Sequence, residues 1–426
     1  MTPTLWDGTT APGRDFPSLQ GQEDAEIVII GAGVAGLSLA LHLADRGFRP
    51  VILEAGREAD GAAGRSAGVV APQLVRHTPT GVIKLLGRTR GEALLRLIAG
   101  GADTVFRLIG DQMTLCGAQR GGFLAPARGK EGAARVADIA EGWTPFRKDL
   151  KILHADEIAQ MTGVTGYQAA LFDPTGGAIN PLAYCRSLAN QALAAGAGLF
   201  TQSKVLSVTR QGEHWRLRCR DGEIRAALVI ACANVGNSFL HPSLSRTVLT
   251  MPVTQIATEP LSDAERRAIL PGGEAMTDME TDVFSIRRDA LGHLITAYPM
   301  GRLGHLDRRL PDLVNDRLTK ALPAYQRKKL AFAWTGIAAI NPSLLPRFFA
   351  VDENFFALQA CNGRGLALNS VLGRDLAGWI AHGRQGDWAL PAERPKPIAG
   401  YLLAQYLPLL MMQTARLRQR FFPPSP

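Results

Sequence analysis

Glu26-Ile-Val-Ile-Ile-Gly31-Ala-Gly-Val-Ala-Gly36 is followed by Leu37 to Gly47 and then by Pro50-Val-Ile-Leu-Glu54. The run from Glu26 to Ile30 is almost wholly apolar, as suits a strand buried on both faces of a parallel sheet. Leu37, Ala40, Leu41 and Ala44 repeat at helical spacing, and Gly47 stops that helix. Pro50 to Glu54 reads as the next strand. Gly31 permits the tight turn out of the first strand, Gly33 lets backbone approach a pyrophosphate, and Gly36 lets helix and strand pack closely. Unpaired N–H groups of Ala32, Val34 and Ala35 at the helix start, with the helix dipole, suit phosphate. Glu54 stands 23 positions after Gly31, near the spacing expected of an acid that bonds a ribose diol. Gly-x-Gly-x-x-Gly alone is a weak signal. With a strand before it, a helix after it and the acid in place, it specifies a dinucleotide site. An acid at position 54 disfavours a 2′-phosphate and hence NADP.

Two further loops point to FAD rather than NAD. Gly61-Ala-Ala-Gly-Arg-Ser-Ala-Gly68 follows Glu54 and Ala55 directly, where the amides of Arg65, Ser66, Ala67 and Gly68 would reach the flavin side of the pyrophosphate. Gly363-Arg364-Gly365, continued by Leu366 and Ala367, opens a C-terminal helix whose dipole would stabilise the negative charge of reduced flavin.

Outward from these motifs the chain alternates in type. Residues 82–112 read as helical, 121–125 as a strand and 131–142 as a helix. Asn180-Pro181 is a helix start, with Asn as the cap and Pro in the first turn. Lys204 to Thr209 and the alternating Trp215, Leu217 and Cys219 read as strands, with Asp221-Gly222 as a hairpin turn. Ala227 to Ala231 is a buried strand. Alternating strands follow at 253–258, 284–288 and 293–298, with a helix at 312–321, a strand at 354–359 and a helix from Gly365 to about His382. The fold class expected is α/β: a Rossmann-like FAD-binding domain interleaved with a mixed α+β substrate domain built on an antiparallel sheet. Residues 1–25 form a lead-in arm. The FAD-binding domain takes 26–81, 170–245 and 345–385, the substrate domain 82–169 and 246–344, and a tail helix 386–426.

Composition sets broad limits. Of 426 residues, 46% are hydrophobic and 20% charged, which excludes disorder and collagen-like order. The formal charge is +9, carried mostly by Arg. That admits an acidic partner, a membrane face or nucleic acid, or only a background preference for Arg. The five cysteines form no CxxC pair, which argues against a disulfide framework and for a reducing, cytoplasmic setting. No His pair has metal-ligand spacing, so no metal is expected. The first residues lack a signal-peptide core, and no apolar run approaches the ~20 residues that span a bilayer.

These motifs together resemble the D-amino-acid-oxidase-like superfamily of FAD-dependent oxidoreductases. The likeness is strongest to the branch of gamma-glutamylputrescine oxidase and its sarcosine- and glycine-oxidase relatives. It rests on Glu26 to Glu54 with the 61–68 loop, on Phe172-Asp-Pro-Thr-Gly-Gly-Ala-Ile-Asn-Pro181, on Leu228-Val-Ile-Ala-Cys-Ala-Asn234, and on Ala360-Cys-Asn-Gly-Arg-Gly365 with its helix. The resemblance implies FAD lying extended in the first domain, with adenine near the Val205 backbone, Ala231 and Cys232 among the cofactor-binding residues, and the 363–367 turn facing the isoalloxazine. It implies hydride transfer from a carbon bearing an amine to flavin N5, then hydrolysis of the imine. The substrate would be a small amine or amino acid, and the acceptor O2 or an electron-transfer partner.

The chain departs from the sarcosine-oxidase pattern. Leu366-Ala367-Leu368 stands where those relatives have a carboxylate-binding Lys, and the 293–298 strand lacks their oxygen-activating Lys. Trp334-Thr-Gly-Ile337 has no Cys for a covalent link, so FAD is expected to be non-covalent. The substrate-pocket candidates are Arg364, Arg287, Gln255, Tyr298 and Trp334; the alternatives are a surface-pointing side chain for Arg364, a pair with Asp289 for Arg287, and packing for the other three. Arg65 would neutralise phosphate or hold substrate, and His77 is read as structural. Competing readings are a dehydrogenase that passes electrons to a quinone or electron-transfer protein, a tRNA-associated flavoprotein, and an FAD-binding protein without turnover. The apolar tail Tyr401 to Met412, with Arg416, Arg418, Arg420 and Phe421-Phe422, suits either a membrane interface or docking on the protein's own surface.

Overall fold

The strand that carries the glycine motif is longer than its apolar run. In the computed structural model, which describes residues 3–74, 76–299, 309–386, 388–407, 410 and 414, it runs from Gly21 to Ile30. It pairs in parallel with Gly222–Ala231 on one side and Val51–Leu53 on the other. The sheet continues outward to Gly198–Phe200 at one edge, and through Phe355–Gln359 and Arg347–Asp352 to Ala392–Glu393 at the other. A hairpin of Ser207–Gln211 and His214–Arg218 extends from Gly222–Ala231. Ile27 and Ile29 enter one buried cluster and Val28 and Ile30 another, so the strand is buried on both faces.

Helices Val34–Ala44, Pro181–Ala194 and Gly365–Ala381 meet on one side of this sheet. A buried polar network ties them: the Ser38 hydroxyl donates to the Ser370 carbonyl at 2.7 Å, and Tyr184 Oη lies 2.8 Å from Ser370 Oγ. Such groups cost stability unless paired, and each has its partner. Asn180 caps the second helix by accepting from Leu182 and Ala183 N–H.

The second sheet runs Leu330–Ile340, Leu249–Pro260, His293–Pro299, Ser285–Arg288, Ala275–Thr277, Phe123–Ala127, Ala169–Asp173, Lys151–His154. One side joins the main core through Ala125, Ala257 and Ile295. The other is covered by helix Leu310–Ala321, whose Leu310, Val314 and Leu318 pack against Leu124, Ile256 and Ile286. The chain leaves the first sheet twice to build the second, so the architecture is mixed α/β with two interleaved sheets, as expected.

Several expectations are corrected. The 82–112 helix is three helices, Pro79–Leu86, Arg88–Ala99 and Gly101–Ile109, broken at Gly87 and Gly100, whose residue type weakens a helix most after Pro. The strand expected at 121–125 is Phe123–Ala127, and that at 204–209 is Ser207–Gln211. Ala169–Asp173 pairs with Phe123–Ala127 in the second sheet, so the change of sheet falls after Asp173 rather than at 170. The first 25 residues are more than an arm: Thr4 caps helix Leu5–Thr9, and Leu5 and Trp6 are buried. Residues from 386 do not form one helix, because Ala392–Glu393 pairs at the sheet edge before the helix at Tyr401–Ala404. Arg416, Arg418, Arg420, Phe421 and Phe422 lie outside the described residues.

Candidate functional site

A cavity of about 1500 Å³ lies between the two sheets, and the glycine turn forms part of its wall. Gly31 has φ +108°, open to glycine and strained for other residues. A Cβ at Gly36 would stand 2.0 Å from the Gly31 carbonyl oxygen, so helix and turn pack directly. At Gly33 the nearest atom to such a Cβ is 3.8 Å away, which leaves the cavity side free for a ligand. Glu54 is fixed by Ala32 N–H at 2.7 Å and Gly56 N–H at 3.0 Å. Burial pushes its carboxyl up, and these N–H donors oppose the shift.

Most residues expected at the cofactor line this cavity: Gly31, Gly33, Val34, Ala35, Glu54, Ala55, Arg65, Ser66, Ala67, Gly68, Val205, Cys232, Gly363, Arg364, Gly365 and Leu366. Ala32, Gly36, Ala231 and Ala367 do not. Ala32 is buried behind the turn and serves Glu54 through its N–H, Gly36 packs on Gly31, and Ala231 and Ala367 are enclosed in the core.

Three donors from separate elements hold three consecutive carbonyls of the 61–68 loop. Trp334 Nε1 donates to Arg65 O at 2.9 Å, Trp6 Nε1 to Ser66 O at 3.0 Å, and Arg287 Nε to Ala67 O at 2.5 Å. The two indoles meet edge to face at 5.9 Å, and the Arg287 guanidinium lies 4.7 Å from the Trp6 ring. Arg287 also donates to Ile179 O at 2.9 Å, and burial pushes its guanidinium down to about 10. This corrects two substrate assignments. Arg287 and Trp334 do not line the cavity but brace its loop, and Asp289 bonds His293 rather than Arg287. Arg65 lines the cavity and donates from Nε to Thr335 O at 2.9 Å. His77 lines it too, with its ring nitrogen 2.7 Å from Ser343 O.

Among the other candidates, Gln255 and Arg364 reach the cavity and Tyr298 does not. Strand alternation explains Tyr298: its neighbour Ala297 faces the cavity opposite Gln255, so Tyr298 points to the second core cluster. Gln255 Oε1 and Gln73 Nε2 are buried cavity-wall atoms without a hydrogen-bond partner among the described residues. Such atoms are costly unless a ligand or water pairs with them.

The Arg364 guanidinium stacks over the Phe123 ring at 5.3 Å and makes no hydrogen bond or ion pair with the described residues, while the backbone N–H donates to Cys361 O at 2.9 Å. Burial pushes its guanidinium down to about 10, and the Asp278 carboxylate opposes that shift. Asp278 also lines the cavity. Its Oδ2 accepts from Tyr167 OH at 2.9 Å and its Oδ1 from Phe284 N–H at 2.8 Å. Burial pushes this carboxyl up to about 6. Sequence reading missed Asp278 and Gln73. The only local sign of Asp278 is the acid-rich run Asp278-Met-Glu-Thr-Asp282, and its partner Tyr167 is far away in sequence.

The residues present fit FAD: a phosphate turn, a ribose acid, a second glycine loop braced from behind, a third turn at a helix start, and unpaired polar atoms on the cavity wall. A fold and site of this kind define a flavin-dependent oxidoreductase. The profile described as "FAD dependent oxidoreductase" (DAO) matches residues 26–379, and the chain belongs to that family. It is 28% identical over 371 residues to gamma-glutamylputrescine oxidoreductase of Escherichia coli, covering 85% of each chain. Glycine oxidase from Geobacillus kaustophilus has the same fold, with TM-score 0.73 at 16% identity over 89% of this chain and 100% of that one. So has L-proline dehydrogenase from P. horikoshii, with TM-score 0.73 at 18% identity over 85% of this chain and 94% of that one.

Proposed function

We propose that the protein oxidises the C–N bond of a small amine or amino acid, with non-covalent FAD as its cofactor. The observation that carries this reading is the pair of opposite charges on the cavity wall: Arg364, without an ion pair among the described residues, and Asp278, a buried carboxylate. Arg364 would take an anionic group of the substrate. Asp278 would take the proton of its ammonium group, leaving the neutral amine that C–H cleavage requires. Tyr167 and Phe284 N–H hold Asp278 in place meanwhile. Gln255 and Gln73 would pair their open polar atoms with the ligand. FAD, when bound, supplies the hydride acceptor. The oxidised substrate is an imine, which water converts to a carbonyl compound and ammonia from a primary amine, or a smaller amine from a secondary one.

Gly31 to Gly36, Glu54 and the 65–68 loop would hold the cofactor's pyrophosphate and ribose, and the Gly365 helix start would face its flavin. Trp334-Thr-Gly-Ile337 offers no thiol, which supports non-covalent binding. Molecular oxygen is the proposed acceptor. A lipid-soluble quinone is a second reading, favoured by Phe239 and Leu407, which are exposed and line the cavity. Rapid reoxidation of reduced enzyme by air would reject the quinone. Surface cations paired with acids, as in Arg57–Asp60, Arg88–Glu92 and Arg225–Asp24, speak against a nucleic-acid face. Free cysteines support a reducing, cytoplasmic setting.

Product analysis with matched amines, with and without a carboxylate, tests the function. The expected result is one carbonyl product per substrate oxidised, with kcat/KM higher for the carboxylate-bearing member of each pair. No carbonyl product from any amine would overturn it.

A further inference from the structure

We propose that the face around Tyr401 to Leu410 docks on an anionic lipid surface. Leu402, Leu403, Tyr406, Leu407 and Leu410 are 45–79% exposed. Their spacing of one, three and four residues places them on one stripe of a helix. Helical bonding supports this, with Gln405 N–H donating to Tyr401 O and Leu410 N–H to Tyr406 O. The side facing the protein is instead that of buried Ala404. A helix on a protein surface ordinarily turns its apolar stripe inward, and this one turns it out. Phe239, 83% exposed, lines the same cavity as Leu407.

Charge selects the occupant. Arg394 and Lys396, at the base of this segment, are exposed and take part in no ion pair among the described residues. Arg246, exposed as well, is tied to the base by Ile398 N–H donating to its carbonyl at 2.8 Å. From Arg394 to Pro426 the sequence carries five cations and no acid. An apolar stripe flanked by cations suits the headgroup region of an anionic leaflet. A second copy fits less well, since each chain has a net charge of +9 and would bring the same cationic segment to the contact. Docking would set the cavity-lining Phe239 and Leu407 against the headgroups.

Co-sedimentation of FAD-loaded protein with vesicles tests this, comparing phosphatidylcholine alone with phosphatidylcholine containing phosphatidylglycerol. Binding is expected only with phosphatidylglycerol and is expected to fall as salt rises. Arg394→Gln with Lys396→Gln, both exposed, should weaken it roughly 25-fold, at about fivefold per cation. Leu402→Glu with Leu403→Glu should weaken it at least as much while flavin absorbance and circular dichroism stay unchanged. Equal binding to both vesicle types, or none, would overturn the proposal. So would wild-type binding by the cation variants, or a lipid-free dimer that the leucine variants abolish, which would assign the face to a second copy.

Discussion

Arg364 and Asp278 put opposite charges on the cavity wall, and each makes a distinct prediction. Replacing Arg364 by Ala should raise KM for a carboxylate-bearing substrate by roughly 10- to 100-fold, the range for a lost charged hydrogen bond. Arg364→Lys should recover part of this, because it keeps the charge and loses the planar fork. Steady-state kinetics on the two variants decides it. Asp278 titrates near 6 in the folded protein against an ordinary 3.8. Its contribution to stability is therefore full below the ordinary value and lost as pH rises through about 6. Activity should move the other way, rising through about 6 as the carboxylate becomes able to take a proton. Asp278→Asn should remove the rising limb from the pH–rate profile and flatten the melting temperature across that window. The glycine turn and Glu54 were legible in the sequence because their constraints are local. Asp278 was not, because its burial and its bond to Tyr167 exist only once distant strands pair.

At the scale of elements, the 61–68 loop could be read as a loop that serves a cofactor, but the means of holding it could not. Trp334 and Arg287 sit on strands of the second sheet, and their side chains look like cavity groups until the N-terminal helix covers them. The helix was hidden because Leu5 and Trp6 stand among polar and Gly/Pro residues that show no periodicity. Trp6→Phe keeps an aromatic ring there and removes the donor to Ser66 O. An unsatisfied buried carbonyl costs about 1–3 kcal/mol. The variant should therefore release FAD more readily, by roughly tenfold in Kd, with the fold intact by circular dichroism. Fluorescence of released flavin on dilution measures this. Unchanged FAD affinity would mean that the brace does not act on the cofactor. Helix breaks at Gly87 and Gly100 were misread for a different reason: the apolar spacing on both sides continued across them.

Across the whole molecule, two sheets share one core because the chain twice leaves the first sheet for the second and returns. The order of motifs made that interleaving legible, while the crossing point at Asp173 depended on strand pairing that sequence does not display. The cysteines report on the same packing. All five are free, and burial pushes Cys116 and Cys219 up to about 11 and Cys232 to about 12, with Cys185 and Cys361 also raised. Since thiolate is the reactive form, the native protein should react very slowly with a thiol reagent at neutral pH and yield five thiols once unfolded. Rapid reaction of the native protein would contradict the packing described. The central claim is that FAD bound between the sheets takes electrons from an amine. Anaerobic addition of carboxylate-bearing primary and secondary amines to the purified holoenzyme, followed by visible absorbance, tests it most directly. The account predicts an oxidised-flavin spectrum that bleaches with such an amine, and flavin that acid releases unattached. Protein without flavin absorbance, or flavin that no amine bleaches, would contradict it.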